Sequence, residues 1–303
     1  MLTPYIDLHC HTTRSDGRLS PMELVGQAKA AGIRVLAITD HNYTEDLAPL
    51  RREFPDMTLV QGAEISCLYT DSAGKDHELH VIALGFDPEN EDMKALLAHN
   101  RPDRRPYINA MLDRLRENGI DLGTYEDIQA KFPHTQYIGR MVLARCLFEA
   151  GYTSSIDQSF DIYLGAHGEQ RAFVKNKLRY VSLEKTVRTI INAGGIPVLA
   201  HLFYYTMNDQ ENELLVQHFK HLTGSRGAME VFYARYGAQE RLYLLDLCKQ
   251  YHLMISAASD YHGQEQWERL NTEFPYTVCS ELLDCLGIKF CETALFEGEG
   301  EDK

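Results

Sequence analysis

The sequence is poor in the features that mark several protein classes. It has one tryptophan, and its seven cysteines are odd in number, scattered, and form no CxxC pair. Neither a disulfide framework nor a thiolate zinc site fits that usage, which suits free thiols in a reducing compartment. Apolar runs stay far short of the ~20 residues needed to cross a bilayer, and the start MLTPYIDLHC lacks the basic and apolar regions of a signal peptide. The expectation is a cytoplasmic chain with no membrane contact. Positive charge is also scarce: 30 Lys+Arg against 44 Asp+Glu leave a net charge of −14. Such a surface repels the phosphate backbone at long range, so duplex nucleic acid is not an expected partner.

What is present reads as an α/β protein. Seven short β-rich runs alternate with helix-period stretches: Tyr5–His9, Arg34–Thr39, Thr58–Ser66, Leu79–Phe86, Ile196–His201, Ala228–Tyr233 and Leu253–Ser259. Alternation of this kind builds a mostly parallel sheet or barrel. Ser20-Pro21 with Glu23 predicts a capped helix start, and Gly32 its end. Between the fourth and fifth runs, helical periodicity continues from Asn90 to Asn192, whereas βα connections usually take ~2–6 residues. An inserted helical subdomain over 90–180 follows, with candidate helices Asn90–Asn118, Thr124–Phe132, Gly139–Ala150 and Ser154–Leu164. The barrel would then comprise 1–89 and 181–296, and the acidic tail 297–303 is expected to be disordered.

Thirteen histidines are many, and their placement is more telling than their number. His9 and His11 lie at the end of the first run, Asp40-His41 at the end of the second, and Glu64 in the third. His80 falls near the start of the fourth run, so that strand is antiparallel or its boundary is displaced. His201 ends the fifth and Asp260-Tyr261-His262 follows the seventh. The carboxyl ends of parallel barrel strands converge on one face. An HxH pair in extended chain puts both imidazoles on one side. Imidazoles and carboxylates gathered in one mouth are costly to desolvate without a cation. Such a nitrogen and oxygen set suits Mn²⁺, Fe²⁺ or Zn²⁺, with Mg²⁺ also compatible.

These segments resemble the PHP (polymerase and histidinol phosphatase) family of metal-dependent phosphoesterases. The likeness runs through Asp7–Gly17 (DLHCHTTRSDG), Ile38–His41, Gly62–Ser66, His80, Ala200-His201 and Ser259–Gly263. It implies a distorted (β/α)7 barrel and two to three divalent ions. His9, His11, Glu64 and Asp260 would hold one ion; Glu64, His80 and His201 a second; Asp16, His41 and His262 a third. Asp40 is expected to position its neighbours. Gly139-Arg140 and Phe232–Tyr236 resemble motifs of the branch acting on nucleotides and RNA 5′ ends. Val142 and Leu202 depart from that branch, at positions where His and Pro are common; these departures bear on substrate contacts.

The resemblance implies a phosphoesterase acting on a small phosphorylated partner, a nucleotide such as a 3′,5′-bisphosphate or 5′-mononucleotide, or a short RNA 5′ end. A hydroxide bridging ions at His9, His11, Glu64 and Asp260 would attack phosphorus, since clustered ions lower the pKa of bound water from ~15.7 toward 7. Guanidinium matches phosphate bidentately, which makes Arg140 the first candidate for substrate binding. Lys175, Lys177 and Arg235 are weaker candidates, and Tyr204, Tyr205, Phe232, Tyr233 and Tyr236 either stack a base or pack the rim. The rival readings are a histidinol-phosphate phosphatase, a non-catalytic metal-stabilised module, and an amidohydrolase barrel.

Overall fold

The computed structural model describes residues 5–101, 103–133, 135, 138–165, 172–174, 180–205, 207–263, 268–270 and 273–289. The tail 297–303 and the basic residues Lys175 and Lys177 lie outside them. The chain is α/β. It opens with β1 (Tyr5–Cys10), α1 (Pro21–Ala30), β2 (Ile33–Ile38), α2 (Ala48–Glu53) and β3 (Thr58–Val60), and these strands form a parallel sheet in the order β1-β2-β3. Helix α1 starts as its sequence dictates. Ser20 and Glu23 form a reciprocal capping box, Pro21 takes the first turn, and Gly32 follows the helix end at φ +86°.

The second sheet contains β4 (Gly62–Thr70), β5 (Asp76–Leu84), β6 (Ile196–Leu199), β7 (Ala228–Tyr233) and β8 (Met254–Ala258), in that order. Two of its links are antiparallel: β5 runs against both β4 and β6. The hairpin that reverses the chain has a sequence cause. Asp71 Oδ1 accepts from Ala73 N and Lys75 N, and Gly74 takes φ +79°. The expected strand Thr58–Ser66 is thus two strands, β3 and β4, one in each sheet. Strand pairing among the described residues yields two sheets rather than one closed seven-stranded barrel.

The sheets meet along two seams. Asp260 N donates to His9 O and His11 N to Tyr261 O, both at 2.9 Å, which sets the end of β8 beside β1. At the other seam Glu64 N donates to Thr39 O at 3.2 Å, and His41 and Glu64 form an isolated parallel bridge. Gly62 permits this approach, since a Cβ there would lie 2.6 Å from Ile38 O.

Helices α3 (Glu91–His99), α4 (Arg105–Glu117), α5 (Tyr125–Lys131), α6 (Arg140–Glu149) and α7 (Ile156–Ser159) fall between β5 and β6, followed by α8 (Leu183–Asn192). The expected single helix Asn90–Asn118 is divided, with Pro106 seated in the first turn of α4, where a missing N–H costs nothing. Met93, Leu96 and Leu97 of α3 are buried in the core that β4, β5 and α8 share. Ile108, Leu112, Ile128, Leu143 and Leu147 close a separate core among α4, α5 and α6. Helices α9 (Asp209–Thr223), α10 (Ala238–Tyr251) and α11 (Ser280–Cys285) complete the described chain. None of the described helices is long and apolar enough to cross a membrane.

Candidate metal centre

The nine predicted ligands converge in one mouth. Strand β1 brings His9 and His11, both fully buried, and alternation along the extended chain aims the two rings the same way. Their Nε2 atoms lie 3.1 Å apart, and Asp260 Oδ1 is 3.3 Å from the first and 3.1 Å from the second. Glu64, 1% exposed, stands in the middle. Its Oε1 lies 2.8 Å from His80 Nδ1 and 3.0 Å from His201 Nε2, and its Oε2 lies 2.7 Å from His41 Nδ1 and 3.3 Å from His11 Nε2. Asp16 gathers the remainder, at 3.5 Å from His41 Nε2, 3.4 Å from His262 Nε2 and 3.7 Å from His11 Nδ1.

Three groups of these atoms lie close enough together to bind an ion: His11, Asp16, His41 and His262; His9, His11 and Asp260; and His41, Glu64 and His80. The first grouping adds His11 to the expected trio, and the last holds His41 where His201 was expected, although His201 Nε2 remains 3.3 Å from His80 Nδ1. The antiparallel direction of β5 explains why His80 sits mid-strand, opposite Ser66.

The donor set fits divalent cations. Glu64 Oε2 is buried without an aligned hydrogen-bond donor, and so is His201 Nδ1. Facing imidazole nitrogens at 3.1 and 3.3 Å leave lone pairs aimed at shared space. Without cations the carboxylates draw protons onto the rings. Burial alone would lower the His80 pKa, but Glu64 outweighs it and pushes the ring up to about 9. His262 reaches about 9 by the same contest, burial opposed by Asp16 and Asp260. His9 and His41 are also raised well above the usual value against burial, by Glu230, Asp260 and Glu64 for His9 and by Glu64 and Asp16 for His41. The histidines in turn overcome burial to hold Asp16, Glu64 and Asp260 well below the ordinary carboxylate range.

Neighbouring polar groups hold the ligands. Asp40, expected in a positioning role, accepts from Thr12 N at 2.8 Å and from the Thr12 and Ser15 hydroxyls, fixing the loop that carries Asp16. Gly17 closes that loop against His11 O, where no Cβ fits. Asp7 accepts from Ser259 N at 3.0 Å and Ser259 Oγ at 2.6 Å, just before Asp260. His201 and Asp260 both take positive φ, +26° and +53°, conformations that cost about 1–3 kcal/mol and persist only where surroundings enforce them. Asp260 is restrained by Tyr233, whose hydroxyl donates to Oδ2 at 2.9 Å.

Sequence reading missed Glu230, in the one candidate strand to which it assigned no ligand. Glu230 is 1% exposed and lies 2.7 Å from His9 Nδ1. The available signal was a lone carboxylate within the apolar run AMEVFY.

Above the ligands, the cleft is lined by Arg104, Gly139, Arg140, Met141, Phe160 and Tyr180 from the segment between β5 and α8. Arg140 begins α6 with its guanidinium 5.6 Å from the Phe173 ring. Arg104, which sequence reading did not single out, lies beside Gly139, and both guanidiniums help the His80 ring to lower the Glu78 carboxyl against its burial. Arg235 also lines the cleft, 3.9 Å from Asp157 and from Glu268. Val142 is buried in the helical core instead. Tyr204 is 64% exposed at the mouth, whereas Tyr205 is buried and donates to Ala200 O at 2.9 Å.

Comparisons with known proteins place the chain in a family. Residues 7–271 match the PHP domain. The 5′-3′ exoribonuclease Rnm of Escherichia coli K12 is 33% identical over 273 residues, 87% of each chain. The 3′,5′-nucleoside bisphosphate phosphatase of Chromobacterium violaceum is 31% identical over 265 residues, 85% of this chain and 87% of that one. A solved structure described as an amidohydrolase from Chromobacterium violaceum, with sulfate bound, superposes with a TM-score of 0.79 at 28% identity, covering 92% of this chain and 96% of that one. Fold and site define a metal-dependent phosphoesterase, an enzyme of the hydrolase class. Within that class, the chain belongs to the PHP family.

Proposed function

We propose that the protein hydrolyses phosphate monoesters of nucleotides, a 3′,5′-bisphosphate or a 5′-mononucleotide, or trims short RNA 5′ ends. The observation that carries this reading is the pairing of a nine-group ligand centre with arginines 104 and 140 on the helical segment above it. His9, His11, Glu64 and Asp260 would hold one divalent ion; Glu64, His80 and His201 a second; Asp16, His41 and His262 a third. When bound, Mn²⁺, Fe²⁺ or Zn²⁺ would supply Lewis acidity and lower the pKa of water toward neutrality, so that hydroxide is available once a proton is lost to solvent.

The chain's own residues do the rest. Arg140 and Arg104 grip a phosphate away from the reacting one by charge-assisted hydrogen bonds. Tyr204, exposed at the mouth, offers a face to a base. Tyr233 and Glu230 keep ligands in place. The two sheets act as one distorted (β/α)7 barrel, a reading supported by the bridges at both seams. The inserted helical subdomain, expected over 90–180, would roof the mouth from about Arg105 onward, since α3 packs in the core shared by β4, β5 and α8.

The named relatives act on RNA and on nucleoside bisphosphates, which favours this substrate class over histidinol phosphate. Anaerobic purification with elemental analysis, followed by phosphate release across nucleotides, short 5′-phosphorylated RNA, sugar phosphates and histidinol phosphate, tests it. Turnover of a nucleotide or RNA end is the expected result. A preference for histidinol phosphate, or full activity in metal-free protein, would overturn it.

A further inference from the structure

Strand β7 carries its one charged side chain, Glu230, into the interior, where it touches two ligand residues at once. Oε1 lies 2.7 Å from His9 Nδ1, and Oε2 accepts from the backbone N–H of His201, also at 2.7 Å. Both contacts have structural causes. Strand β6 pairs with β7 only through Val198 and Leu199, so the N–H of His201, two residues further on, takes a side-chain acceptor where a ladder partner would stand. On the other edge of β7 the register slips: Glu230 faces Ser256 but Phe232 faces Ala257, leaving Val231 as an extra residue. Bulges of this kind re-aim side chains beside functional sites. His201 holds φ +26°, a backbone state that needs such an external restraint.

We infer that Glu230 is a positioning residue that couples two ion sites: through one carboxylate it fixes the ring of His9 and the backbone of His201, ligands of different ions. This rests on the ligand assignment proposed above. A carboxylate 2.7 Å from Nδ1 keeps the hydrogen on that atom and leaves Nε2 free for an ion. The same carboxylate anchors the turn from which His201 reaches Glu64. One carboxyl group thereby ties the ring of His9 to the backbone of His201. Among the described residues Glu230 touches none of Asp16, His41 and His262, and the loop that carries Asp16 is held instead by Asp40, Thr12 and Ser15.

Glu230→Gln tests the coupling, because an amide has one acceptor oxygen for two donors, and an NH₂ turned to Nδ1 drives the hydrogen of His9 onto Nε2. Metal-free protein is titrated with Mn²⁺ by calorimetry, and ions retained after gel filtration are counted by elemental analysis. The ions held through His9 and His201 should bind 10- to 100-fold more weakly, while the ion at Asp16, His41 and His262 keeps its affinity. Val231→Ala serves as a packing control on the same strand and should lower the melting temperature without splitting the isotherm. An unchanged Glu230→Gln isotherm, or uniform weakening of every site with a matching loss in the control, overturns the positioning role. Wild-type protein that binds no Mn²⁺ overturns the ligand assignment itself.

Discussion

Loading the centre with metal should release protons, and the structure sets how many. His80 and His262 are held at about 9 in the metal-free state, because Glu64 and the Asp16–Asp260 pair outweigh the burial that would otherwise lower them. At pH 7.5 each is then about 97% protonated, and a protonated imidazole cannot ligate. Displacing each proton costs roughly 2 kcal/mol, 1.5 pH units at 1.36 kcal/mol each, so each histidine weakens apparent affinity about thirtyfold. His9 and His41, raised well above the usual value, add to the count. Saturation at pH 7.5 should release at least two protons per chain, from His80 and His262. Calorimetric titration of chelator-treated protein with Mn²⁺ in HEPES and in Tris yields the number from the difference in apparent enthalpy. Affinity should rise steadily from pH 7 to 9. Release of fewer than one proton, or an affinity flat over that range, would refute the reasoning.

The same shifts bear on metal-free stability. Raised imidazoles stabilise the fold fully below about pH 6.5 and lose that contribution as pH climbs toward 9, while the lowered Asp16, Glu64 and Asp260 stabilise above about pH 4 and lose it on acidification. Scanning fluorimetry should therefore show a melting maximum between about pH 5 and 6.5, and added Mn²⁺ should move it upward. Glu64→Ala should cut turnover by several orders of magnitude with the fold retained by circular dichroism. His99→Ala, on the exposed last turn of α3, and His218→Ala, on α9 beside Glu184 of α8, should change turnover less than twofold. Arg140→Ala should raise KM for a nucleotide ten- to hundredfold, about 1.4–2.7 kcal/mol, with a smaller effect on an aryl phosphate. Equal losses on both substrates would show that Arg140 does not contact the part of the nucleotide remote from the reacting phosphate.

Much of this centre was legible because chemistry in such a fold lies at strand ends, where HxH, D-H and D-Y-H stand out against apolar runs. Strand direction was legible only as an alternative. Period-two alternation reads the same either way, so Leu79–Phe86 could be found as a strand without its direction; His80 near its start left an antiparallel strand or a displaced boundary, and pairing with β4, which sets His80 opposite Ser66, makes the strand antiparallel. The turn residues Asp71 and Gly74 were the available cue. Glu230 was hidden for a different reason. Its meaning lies in a contact with His9, 221 positions away, and one carboxylate in an apolar strand carries no period of its own.

Strand reversal also decides where the inserted helices can reach. Leu84 ends β5 beside Ile196, the start of β6 and hence the end of the sheet remote from His201, so helices inserted directly after β5 would hang below the sheet, away from the ligands. Helix α3 corrects this. It packs against the core of β4, β5 and α8 and delivers Asn100 to the mouth, where Nδ2 donates to Ser66 O at 2.7 Å and to Asn42 Oδ1 at 3.0 Å. Arg101 follows, donating to Arg14 O at 2.8 Å and covering the Tyr43 ring. The chain re-enters on the same side, since Leu68 N, past Glu64 on β4, donates to Val181 O. Departure and return both lie at the ligand-bearing face, which is why Arg104 and Arg140 overlook the metal centre. A truncation joining Asn100 to Val181 should therefore leave the nine ligands in place, retain Mn²⁺ binding and cleavage of an aryl phosphate, and lose its advantage toward nucleotides. Loss of Mn²⁺ binding in a folded truncation would show that the helices build the centre rather than roof it.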